Sequence, residues 1–106
     1  MTTTNEDERL SREARSVWLA HPEGLHARPA IQLTKLAKQF QAHVWVGVSA
    51  DGPWTNAKSI ARVLAMKTPS QTKLYFTAEG DDAPSAIEAL VLLVRNDFKS
   101  VPDDGK

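Results

Sequence analysis

The chain contains no cysteine. That excludes a disulfide framework, a thiol nucleophile and a thiolate metal site, and it suits a reducing cytosol. It also lacks a surplus of either charge, because 13 lysines and arginines offset 13 aspartates and glutamates. The overall field therefore favours neither nucleic acid nor an anionic membrane, and any anion selectivity has to be local. No run reaches the apolar length of a membrane span, and the opening MTTTNEDERLSREARS has no apolar core of a signal peptide. The expectation is a cytoplasmic protein without membrane insertion. At 106 residues the length suits one domain around one core, too small for a deep two-domain cleft, so a multistep enzyme is not expected.

What is present is periodic. Residues 1–14 read as a polar, flexible N-terminal arm, residues 15–99 as the folded domain and residues 100–106 as a flexible tail. SVWLA, residues 16–20, reads as a short strand ended by HPEG. From Ala27 the period becomes helical, with Ala30, Leu33, Ala37 and Phe40 on one face. HVWVGVS alternates, which places Val44, Val46 and Val48 together and Trp45 and Gly47 opposite. After the ADGPW turn, WTNA reads as a return strand, and Ser59 is placed to cap a helix built on Ile60, Val63 and Met66. TKLYFTA supplies the last strand, with Leu74 and Phe76 inward. Asp82 stands as an N-cap ahead of Pro84, followed by the stripe Ile87, Leu90, Val91 and Val94. The order βαββαβα predicts an α+β open-faced β-sandwich, a four-stranded antiparallel sheet with three helices on one face.

The chemistry concentrates in GLHARPA, residues 24–30. With His26 as N-cap, the backbone N–H groups of Ala27 and Arg28 are unpaired, Pro29 sits where proline is tolerated, and the helix dipole is positive. This is an anion pocket by construction. In its neutral form the imidazole has a nitrogen lone pair able to attack phosphorus. Arg28 and the helix-end amides are then suited to hold the phosphoryl oxygens. Gly24 lets the chain approach closely and leaves the ring accessible to a partner. His21 reads as a loop residue and His43 as strand edge, and no histidine pair has metal-binding spacing, so a metal is not expected; no cofactor is expected either.

GLHARPA resembles the active-site motif of HPr, the histidine-containing phosphocarrier family of the bacterial phosphoenolpyruvate-dependent phosphotransferase system (PTS). NAKSI, residues 56–60, is similar to the stretch around that family's regulatory serine, and TKLYFTAEGDD with the helix after it is similar to the family's last strand, turn and final helix. The resemblance covers residues 16–98. It implies a phosphocarrier rather than an enzyme: His26 is phosphorylated on its δ1 nitrogen by Enzyme I and passes the group to IIA domains of sugar permeases, with Arg28 stabilising it. It further implies that Lys35, Lys38, Ile60 and Arg62 meet acidic partner surfaces, and that Ser59 is a site for a serine kinase/phosphorylase as well as a cap. A monomer is expected.

Ala61 stands where many members carry a bulky apolar residue, Lys67 and Gln71 stand where glycine is frequent, and the ADGPW loop is slightly longer than usual. A related reading is a regulatory carrier, serving the nitrogen-related branch of the system or a dihydroxyacetone kinase. A third is an RNA-binding sheet, disfavoured by the neutral charge and the lack of a glycine-rich aromatic motif. Trp45 and Trp54 are expected to pack together across the open sheet face.

Overall fold

A computed structural model of the protein describes residues 12–99. Most of the expected arm, and the tail over residues 100–106, lie outside the described residues. The elements run β1 (Arg12–Leu19), α1 (Ala27–Ala37), β2 (His43–Gly47), β3 (Thr55–Asn56), α2 (Ile60–Ala65), β4 (Thr72–Glu79) and α3 (Ala83–Arg95). The sheet order is β1-β4-β2-β3, with every neighbouring pair antiparallel. This is the α+β open-faced sandwich in the βαββαβα order that the periodicity predicts.

Alternation in the strands decides which face the helices cover. Leu74, Phe76 and Ala78 of β4, Val44 and Val46 of β2 and Leu19 of β1 are buried beneath Ala30, Leu33 and Ala37 of α1, Val63 of α2, and Ile87, Leu90, Val91 and Val94 of α3. Burying one such large side chain contributes about 1.5–3 kcal/mol. The helix-propensity loss at a β-branched residue is only roughly 0.5 kcal/mol, so Ile87, Val91 and Val94 are helical because of what they cover.

Four expectations are corrected. β1 begins at Arg12, inside the stretch assigned to the arm, because β4 runs eight residues and pairs from Thr72 opposite Leu19 through to Glu79 opposite Arg12. β2 ends at Gly47, leaving Val48 48% exposed; the chain turns there, with the Gly52 amide donating to the Ser49 carbonyl at 3.0 Å. Phe40 lies beyond the end of α1 and packs half-buried against the core. Asp82 occupies the N-cap position of α3, but its side chain makes no cap hydrogen bond. Its two oxygens instead accept from the Gln41 amide at 2.9 Å and the Ala42 amide at 2.8 Å, fastening the loop after α1 to the β4–α3 turn.

The bare face of the sheet carries Trp18, Tyr75, Trp45 and His43. His43 stacks on Trp45 with ring centroids 5.9 Å apart. Trp54 lies over Gly47, where a Cβ would come 2.8 Å from the Pro53 carbonyl oxygen and 3.3 Å from the indole ring. Trp45 and Trp54 line a common cavity together with Asn56 and Arg62.

Candidate functional site

His26 is the N-cap residue of α1. Its backbone is extended (φ −79°, ψ −171°), its carbonyl accepts the first helical bond from Ala30 at 2.9 Å, and its side chain makes no cap hydrogen bond. The imidazole is therefore exposed and, among the described residues, uncommitted at the positive end of an 11-residue helix. Ala27 and Arg28 are exposed, Pro29 is buried in the first turn, and that turn holds no acidic residue to neutralise the helix end. By helix geometry the Ala27 and Arg28 amides have no intrahelical acceptor.

The loop that presents His26 is anchored on both sides. Gly24 has φ +67°, and its amide donates to the His21 carbonyl at 2.9 Å. Leu25 is buried and donates its amide to the Thr68 carbonyl at 2.9 Å, joining the loop to the turn after α2. His21 has a structural placement: its Nδ1 accepts from the Glu23 amide at 3.2 Å, and its ring meets Phe98 edge-on at 5.8 Å.

A shallow cavity of about 470 Å³ opens beside His26, lined by Glu23, Leu25, His26, Ala27, Leu64, Lys67, Thr68 and Pro69. Of the residues expected at the phosphoryl site, His26 and Ala27 line it, while Arg28 is exposed on the same helical turn outside it. The sequence reading missed Leu64 and Lys67. A pattern confined to the helix period marks Leu64 only as one apolar residue among several, yet it is 37% exposed beside His26.

The other expected site residues are spread over the helical layer. Lys35 and Lys38 are exposed at the far end of α1, and Arg62 is exposed on α2 at the tryptophan-lined cavity. Ile60 is half-buried and packs against the core, so Leu64 offers the more exposed apolar surface on α2. Ser59 caps α2, its Oγ accepting from the Arg62 amide at 3.3 Å. The departures Lys67 and Gln71 both adopt left-handed backbone, φ 49° and 64°, so the chain keeps the glycine-like turn geometry without glycine. Ala61 is exposed. Among the described residues no group of three His, Cys, Asp or Glu is placed to hold a metal, and no helix is long and apolar enough to cross a membrane.

Comparison with known proteins agrees with this architecture. The family model for the PTS HPr component phosphorylation site matches residues 14–96. The phosphocarrier protein HPr of Buchnera aphidicola is 35% identical over 78 residues, spanning 74% of this chain and 89% of that protein. The multiphosphoryl transfer protein of Vibrio cholerae is 41% identical over 73 residues, spanning 68% of this chain but 18% of its relative. The chain thus matches only a small part of such multiphosphoryl transfer proteins. Among solved structures, HPr-C-His from Thermoanaerobacter tengcongensis superposes with a TM-score of 0.75 at 32% identity, covering 84% of this chain and 99% of the other. The family match runs from the first strand into the end of the last helix and takes in both sides of the His26 loop, and the chain belongs to the HPr family of the phosphotransferase system.

Proposed function

We propose that the protein is a phosphocarrier that accepts a phosphoryl group on Nδ1 of His26 from phosphorylated Enzyme I and delivers it to IIA domains of sugar permeases. The observation that carries this reading is the exposed His26 ring, uncommitted to capping, at the start of a helix whose first turn holds no acidic residue. In the transfer step the imidazole lone pair forms the N–P bond. The bond between phosphorus and the donor breaks, and its electron pair leaves with the donor. The Ala27 and Arg28 amides and the Arg28 guanidinium offer hydrogen bonds to the phosphoryl oxygens before and after transfer. Because the same donors serve both states, the group is held without being trapped.

Delivery to several partners needs fast, weak encounters. Exposed Lys35, Lys38 and Arg62, with exposed Leu64 and half-buried Ile60 on α2, give the helical layer both cationic and apolar surface, suited to acidic partners. A phosphate on Ser59 would add about two negative charges beside Arg62 and oppose the same encounters.

The test is incubation with Enzyme I and phosphoenolpyruvate, followed by addition of candidate IIA domains. The expected product is acid-labile, base-stable phosphate on His26 that is lost to a IIA domain. Phosphate uptake by His26→Ala at the wild-type rate would show that another residue is the acceptor.

A further inference from the structure

Lys67 stands out because its backbone and its side chain ask for different residues. Its φ of 49° lies in the left-handed region, where glycine is unstrained and a lysine loses conformational free energy. The fold gains nothing from its ammonium group, since Lys67 is exposed and that group has no hydrogen bond or ion pair among the described residues. Its amide donates to the Leu64 carbonyl at 3.0 Å, a bond that glycine would also make.

The surroundings of the side chain differ from those of a solvated surface lysine. Lys67 lines the cavity that His26 borders. The Leu25 amide donates to the Thr68 carbonyl at 2.9 Å, a bond that joins the neighbour of His26 to the neighbour of Lys67. Lysine is a compact point charge on a flexible stem, able to follow a phosphoryl group in a shallow site. Strained residues persist where the surroundings use them, and they gather at functional sites.

We infer that Lys67 is a positioning cation for the phosphoryl group carried by His26, acting from the turn after α2 while the α1 amides and Arg28 act from the helix end. The inference rests on the reading of His26 as the acceptor and adds a charge from an element outside GLHARPA. A cation there favours the dianionic phosphoryl group over its protonated form and over the unphosphorylated ring.

The experiment compares Lys67→Gln, Lys67→Gly and Lys67→Arg with the wild type. In the isolated phosphoprotein, the ³¹P resonance of phospho-His26 is titrated with pH. Loss of the cation in the Gln and Gly variants should raise the phosphoryl titration midpoint by about half a pH unit. The Arg variant should stay near the wild type. Relief of the left-handed strain should at the same time raise the Tm of Lys67→Gly by on the order of 5 °C, so stability and phosphoryl binding move in opposite directions. A purely structural lysine would leave the ³¹P titration unmoved, and wild-type midpoints in both neutral variants overturn the inference. Inorganic phosphate supplies a separate arm: its perturbation of the Ala27 amide resonance should need several-fold more phosphate in Lys67→Gln. If the wild type takes no phosphoryl group, the carrier reading fails, and this arm decides Lys67 by itself.

Discussion

The Leu25 amide and the Thr68 carbonyl meet at 2.9 Å, and this bond sets how close the His26 loop lies to the turn after α2. Gly24 makes the approach possible. A Cβ there would collide with the Thr68 carbonyl oxygen and fall 2.8 Å from the Pro69 carbonyl carbon, on a residue whose φ is already +67°. Gly24→Ala should therefore lower the unfolding free energy by about 2–4 kcal/mol, the combined effect of left-handed strain and a clash with backbone that cannot rotate away. Urea denaturation measures it, and a loss below about 1 kcal/mol would mean that the two segments separate easily.

Asp82 gives the protein an acid-sensitive fastening. The Gln41 amide foremost, then the Ala42 amide, Asp82's own amide and the charge of Lys58 hold its carboxyl below the usual aspartate value of 3.8, against partial desolvation acting the other way. A depressed folded-state value adds stability that is present above the unfolded value and lost as pH falls through the folded one. Asp82→Asn keeps one acceptor oxygen and loses the charge. It should be less stable than the wild type at neutral pH, and the gap should close as the pH falls below 3.8. Thermal melts of both proteins between neutral and strongly acidic pH would show it; a gap constant with pH would contradict the assignment.

Gln71 adopts φ 64° and donates its amide to the Leu19 carbonyl at 2.7 Å. Its side chain is exposed, with no hydrogen bond among the described residues. Gln71→Gly should keep the backbone bond, remove the left-handed penalty and raise stability by about 1 kcal/mol, partly offset by the freer unfolded chain. A higher urea midpoint with unchanged slope is the expected signature.

Gly47 lies under the Trp54 indole with no room for a methyl group. Gly47→Ala should push the ring off the sheet, shift tryptophan emission to the red and destabilise by roughly 1–3 kcal/mol, the usual range for an overpacked site. Emission that stays at the wild-type wavelength would place the indole's packing elsewhere.

The parts of the fold legible in the sequence are those with a period of their own. The stripes of α1 and α3 and the alternation of β2 and β4 mark their own faces, so Leu33, Leu90, Val44 and Phe76 are found inside as expected. Val48 continues the alternation but not the strand, because pairing ends at Gly47. Asp82 has the residue type and position of a cap, and a local pattern assigns it to its own helix. Its acceptors are used 40 and 41 residues away instead.

The site divides along the same line. His26 at a helix start with Arg28 and Pro29 behind it is a local arrangement, and the sequence by itself determined it, along with the order of elements that builds the sheet. Only the tertiary structure decided that Leu64 and Lys67 line the cavity beside that histidine, that Ile60 is turned partly into the core, and that Gly24 lies against Thr68. The physical reason is range. Helix starts and amphipathic faces follow from dihedral preferences and burial within a few residues, whereas the walls of a shallow site come from segments brought together across some 40 positions of chain, which no local period records.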